Sequence, residues 1–281
     1  MINFIRKVTA VVFGFLFAVI ADSEQPVKEN YIEPVSTVRY ILADAYFHAQ
    51  GITTDGEYYY FSSNTGLLKT ELDAETMVKL NPLAIPARLM LEGCDHLGGI
   101  SYYNGKIYAT TEDSGRFNHL YLIAYDCETL KAVNYKALPL EKHENGAPWC
   151  AVDKETGIVY SARRDRFEEL NAYNADTLEY MYSVPVTGQP HKIQGGEIYN
   201  GILYCSASRQ NQAVFAVELS SGKGKLLFER NLADGAEGEG LTILPGEDGA
   251  FFRILDIPPL RLGVNLRSYA FNPESIDFGS E

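Results

Sequence analysis

An aromatic residue recurs along this chain at a nearly constant interval, and that periodicity restricts the fold more than any other feature. Tyr60, Tyr108, Tyr160, Tyr204 and Phe252 are separated by 48, 52, 44 and 48 residues. Each lies in a strand-like stretch that follows a tight-turn signal: Asp55-Gly56, Asn104-Gly105, Glu155-Thr156-Gly157, Asn200-Gly201 and Glu247-Asp248-Gly249. Asn-Gly and Asp-Gly supply the positive φ angles that short hairpins need. Before each turn comes a mostly apolar stretch, opening at Gln50, Gly98, Cys150, Gly195 and Glu239. A second turn recurs further on as Asp73-Ala74-Glu75-Thr76, Asp126-Cys127-Glu128-Thr129 and Asn174-Ala175-Asp176-Thr177, with Ser220-Ser221-Gly222-Lys223-Gly224 in the fourth unit.

Four short strands per repeat of this length are the signature of a propeller blade. No long 3.6-residue periodicity separates the strands, which excludes an α-solenoid. A β-sandwich would not produce the repeat. The expected fold is therefore all-β: a β-propeller of five four-stranded blades over residues 35–272. Residues 22–34 and 273–281 read as polar tails. The last unit offers a clear third strand at 266–271 but no fourth. A spare strand at 38–42 precedes the first repeat, so we expect the N-terminal strand to complete the last blade and close the ring. Such closure leaves no open edge for another chain to pair with.

The N-terminal residues have the form of a secretory signal peptide over residues 1–21. Arg6 and Lys7 precede an apolar run of 13 residues, and Val19 and Ala21 suit the cleavage positions. The run is short for a bilayer span, which takes about 20 residues. A secreted or periplasmic protein is expected, with no integral span after leader cleavage. Anchoring by an uncleaved segment is the alternative. In an oxidising compartment Cys94, Cys127, Cys150 and Cys205 could pair in three ways or remain buried thiols. The formal net charge of −13 opposes binding to a phosphate backbone, so nucleic acid is excluded as a partner.

In a propeller, loops entering the inner strands and loops leaving the second strands share one face, and function concentrates on such loops. Four of the five histidines fall on entry loops: His48, His96, His143 and His191, at intervals of 48, 47 and 48. One further step of 48 reaches Glu239. His48, His96, His191 and Glu239 are the candidate ligands for one divalent metal ion on the axis, since imidazole and carboxylate suit transition metals. Unequal offsets from the inner strands argue against equal roles for all of them. Other entry-loop candidates are Gln50, Trp149, Gln194 and Glu237. From the loops leaving the second strands, 62–64, 163–166 and 206–209, come the candidates Arg163 and Arg209, and the cluster Arg163-Arg164-Asp165-Arg166 could hold a carboxylate or phosphate. Glu237 and Glu239 could act as acid and base. We expect these two side chains to be turned apart along the strand, which counts against that mechanism.

No nucleophile elbow, HExxH, P-loop or dinucleotide fingerprint is present. The leading expectation is a binding protein for a small polar molecule, a glycan or a protein at the entry-loop face. A metal-dependent hydrolase or lactonase-like enzyme with an axial site is the alternative; its comparison with lactonase propellers rests on architecture alone.

The segment Phe47-His48-Ala49-Gln50-Gly51-Ile52-Thr53-Thr54-Asp55-Gly56, followed by Tyr60-Phe61-Ser62-Ser63-Asn64, resembles the first blade of glutamine cyclotransferase-type five-bladed propellers. Glu237-Gly238-Glu239-Gly240-Leu241-Thr242 is similar to their Glu-Gly-x-Gly-Leu-Thr element. In that family the element lies mid-chain, whereas here it opens the final repeat, and the family's tryptophans are mostly absent. The resemblance implies propeller kinship, with cyclotransferase-like acyl transfer as a further alternative.

Overall fold

Each repeat folds as a four-stranded antiparallel sheet, and five such sheets form a ring. The computed structural model describes residues 30–208, 212–246 and 249–279. The leader and Arg209 lie outside the described residues. Blade 1 contains β2 (Gly51–Thr54), β3 (Tyr59–Ser62), β4 (Leu67–Thr70) and β5 (Met77–Asn81). Blade 2 contains β6 (His96–Tyr103), β7 (Lys106–Glu112), β8 (Leu120–Asp126) and β9 (Ala132–Ala137). Blade 3 contains β10 (Cys150–Asp153), β11 (Ile158–Ser161), β12 (Glu169–Asn174) and β13 (Tyr180–Pro185). Blade 4 contains β14 (Ile193–Tyr199), β15 (Ile202–Ala207), β16 (Ala213–Glu218) and β17 (Gly224–Glu229). Blade 5 contains β18 (Glu237–Ile243), β19 (Ala250–Ile257) and β20 (Gly263–Ala270).

The fourth strand of blade 5 is β1 (Ser36–Ile41), antiparallel to β20 with Tyr40 opposite Val264. The ring closes as the sequence implies, with the strand ending one residue earlier than expected, because Leu42 opens a short helix, α1 (Leu42–Phe47). A second short helix, α2 (Ala87–Leu91), joins blades 1 and 2. None of the described helices is long and apolar enough to cross a membrane.

The recurrent aromatics fill the spaces between blades. Tyr60, Tyr108, Tyr160 and Tyr204 sit on the second strands of blades 1 to 4 and are buried in successive clusters. Burying one such ring contributes on the order of 2 kcal/mol. Phe252 departs from the series, since it packs with Tyr204 and Phe228 between blades 4 and 5. The blade 5–1 space is filled by Tyr40, Phe61, Leu255 and Val264 instead. Local chemistry explains the recurrent second turn. The Asp73 carboxylate accepts from the backbone N–H groups of Glu75 and Thr76, and Asn174 does the same for Asp176 and Thr177.

Around the axis the inner strands touch through glycine. A Cβ on Gly195 would lie 2.5 Å from the Gly240 Cα, and one on Gly240 would lie 2.7 Å from the Gly51 Cα. A Cβ on Gly51 would lie 3.0 Å from the Gly99 Cα. Four blades thus meet backbone to backbone. Blade 3 enters differently, with Trp149 bridging to Gly99. The residues just before three of these glycines are Gln50, Gln194 and Glu239, so the collar sets their side chains at one level near the axis.

Candidate functional site: an axial cleft

A cleft of about 410 Å³ opens on the entry-loop face. Gln50, Gln194 and Glu239 line it, together with His96 from β6. Asn64 and Ser208 reach it from loops that leave second strands. Arg164, Asp165, Lys192, Glu237 and Arg261 complete the lining.

Glu239 is 3 % exposed. Burial, and then the charge of Glu237, push its carboxyl well above the usual carboxylate range. Its protonated form, which can donate a hydrogen bond, is favoured accordingly. The Ser206 hydroxyl donates to the Glu239 backbone carbonyl and leaves the carboxyl group to the cleft. His96 is held neutral by burial first and by Arg164 second, with its pKa lowered to about 4. Its Nδ1 is buried and has no hydrogen-bond partner.

Two of the lining cations are already neutralised. Arg164 pairs with the buried Glu112 of blade 2, and its Nε donates to the Asn145 carbonyl at 3.1 Å. Glu112 also accepts from the Ala147 N–H at 3.2 Å. Arg261 donates to both carboxylate oxygens of Glu237, at 2.7 and 2.6 Å. Beside Asp165 and Lys192, the cleft thus presents amides, a carboxyl group of raised pKa and a neutral imidazole.

The glycines of residues 235–240 have separate reasons. Gly235 turns the chain with a φ of +81°. A Cβ on Gly238 would lie 2.1 Å from an Arg230 guanidinium nitrogen, so its absence lets this buried arginine pass beneath. Arg230 donates there to the Ala207 and Leu255 carbonyls. Gly240 belongs to the axial collar. The expectation that Glu237 and Glu239 are turned apart is corrected: residues two apart on a strand share a face, and both line this cleft.

Of the sequence candidates, the structure brings Gln50, His96, Gln194, Glu237 and Glu239 together. His48 lies elsewhere, beneath α1. Its Nδ1 donates to the Asp44 carbonyl at 2.6 Å, and its ring stacks on Tyr40 at 3.7 Å. His191 is exposed on the β13–β14 loop and lines a separate surface hollow with Pro190 and Asp165. Trp149 is wholly buried against Phe167. Arg163 pairs with Glu144 at 2.9 Å. His143 is buried, with Nε2 2.6 Å from the Tyr173 hydroxyl.

Equal spacing along the chain did not mean equal distance from the axis, because the histidines lie on connectors of different length and shape. Candidate metal ligands His48 and His191 are consequently not assembled with His96 and Glu239. Among the described residues, no group of three His, Cys, Asp or Glu side chains could hold a metal ion. All four cysteines are buried free thiols.

Arg164 and Asp165 stood in the arginine cluster, whereas Asn64, Lys192, Ser208 and Arg261 were not singled out from the sequence. Asn64, Lys192 and Ser208 fall within loops assigned to this face, so position was the available signal. Arg261 lies on the β19–β20 loop, where no recurring motif marks it. No family model matches the chain, and no curated protein is similar to it in sequence.

Proposed function

We propose that the axial cleft binds a small, uncharged, hydrogen-bonding ligand. The observation that carries this reading is the polar lining: Gln50, Gln194, the buried Glu239 with its raised carboxyl pKa and the neutral His96 line one recess. Such groups can donate and accept without demanding a counter-charge. The leader-like segment supports a protein that meets its ligand after export. The test is calorimetry and thermal denaturation of the mature protein with neutral sugars, polyols and primary amides. A saturable ligand lost in Glu239→Ala and Gln50→Ala is the expected result. A ligand that binds both variants as well as the native protein would place recognition elsewhere.

A second reading is acyl transfer of the glutamine cyclotransferase kind. Two observations favour it: Gln50 and Glu239, which stand in the two matching motifs, line the same cleft, and burial raises the Glu239 carboxyl pKa. In that reaction the substrate's N-terminal amine attacks its own side-chain amide carbon. The carbon–nitrogen bond of that amide breaks, the departing nitrogen takes a proton from Glu239 and leaves as ammonia, and the proton lost by the attacking nitrogen restores the Glu239 carboxyl. Mass spectrometry of peptides with N-terminal glutamine tests it. Ammonia loss that disappears in Glu239→Gln supports the reading, and unchanged peptide rejects it.

A further inference from the structure

Beside the axial cleft lies a second recess of about 340 Å³ with a different character. Its walls are Leu42, Tyr46, Leu262 and Val264, and Gln50, Asn64 and Arg261 line both recesses. A molecule in the cleft can therefore extend into the groove without leaving the protein surface. Leu42 is 86 % exposed and Leu262 is 58 % exposed, although each has an apolar side chain. Leu42 also has a φ of +56°, in the left-handed region, where a leucine costs on the order of 1 kcal/mol. Strained backbone persists where the surroundings impose it, and it concentrates at ligand clamps.

The size of the groove decides its occupant. A stable protein interface takes about 800 Å² from each partner, far more surface than these few side chains supply. An alkyl or acyl chain matches both the volume of about 340 Å³ and the apolar lining. We propose that the groove holds the apolar chain of the same ligand whose uncharged head lies in the cleft, so that the ligand is a single-chain amphiphile. This inference rests on the binding reading above and specifies its ligand class.

The test uses N-alkyl-D-gluconamides, from methyl to octyl, titrated calorimetrically into the mature protein. Each methylene buried in the groove is expected to lower Kd about three- to fourfold. Leu42→Asp with Leu262→Asp, both at exposed positions, should abolish that gain while leaving the methyl compound's Kd unchanged. Glu239→Ala should weaken every member by the same factor. A Kd independent of chain length in the native protein would overturn the groove and leave the cleft reading intact. So would a chain-length gain that survives the double variant. A chain-length gain with no effect of Glu239→Ala would sink the cleft reading instead. Failure of every member to bind would overturn the proposal.

Discussion

Gly240 and Gly51, on the inner strands of neighbouring blades, stand so close that a Cβ on the first would lie 2.7 Å from the Cα of the second. Each is preceded by a side chain of the cleft lining, Glu239 and Gln50 respectively. The contact that closes the ring therefore also positions the site.

Replacing Gly240 by Ala forces two backbones apart, because its nearest neighbours are the main-chain atoms of residues 50–52. Overpacking of this kind costs about 1–3 kcal/mol. Urea unfolding of Gly240→Ala should show that loss, and ligand affinity should fall with it. Gly105→Ala is the control, because nothing lies within 4 Å of a Cβ there and only its φ of +74° opposes the change.

The closing strand should be as important as any inner one. Tyr40 is buried, stacks on His48 at 3.7 Å and donates its hydroxyl to the Ala74 carbonyl at 2.9 Å. Tyr40→Phe keeps the ring and loses one hydrogen bond, for a cost of about 1 kcal/mol. Tyr40→Ala opens a cavity and should cost about 3–5 kcal/mol. Chemical denaturation of the two variants separates these contributions.

His143 should make the fold acid-sensitive. Burial lowers its pKa to about 4, against an unfolded value near 6.5. The unfolded chain takes up this proton first as pH falls, so the contribution is complete above about pH 6.5 and is lost as pH drops towards 4. The difference corresponds to about 3 kcal/mol. His143→Gln should reduce the stability lost between pH 7 and pH 4 by about that amount, measured by urea titration at both values.

Glu239 should act with the opposite sign. Its folded pKa lies well above the ordinary value, so above about pH 4.5 the unfolded chain releases a proton that the folded chain retains. Stability then declines as pH rises from that point until the folded carboxyl itself ionises. Glu239→Gln preserves the shape and removes this contribution, so its stability should exceed that of the native protein by more at pH 8 than at pH 5. Parallel pH profiles for the two proteins would show that the carboxyl is ionised in the fold.

Arg261 and Glu237 are 24 positions apart and form a two-point ion pair at the cleft. Arg261 is largely exposed, so the pair should contribute no more than about 1 kcal/mol to stability. Its effect should fall on binding: Arg261→Gln removes one of the groups that balance the Glu237 charge beside Glu239 and should weaken a neutral ligand severalfold without a measurable change in unfolding. Equal loss of stability and affinity would mean that the pair supports the fold.

The sequence by itself determined the blade number, the strand order within each blade and the closure by an N-terminal strand. These follow from local signals that repeat: Asn-Gly turns, the carboxylate- and amide-capped second turns, and one aromatic per second strand. Gln50, Gln194 and Glu239 were legible through the same repeat, because each falls where a loop enters an inner strand. Only the tertiary structure decided which histidine reaches the axis, since His48, His143 and His191 keep the spacing of His96 but sit on connectors that end at different depths. It also decided the charge of the site. That charge depends on the pairing of Arg164 with Glu112 and of Arg261 with Glu237, and on the burial of Glu239 and His96, which arise only when distant strands are packed around one axis.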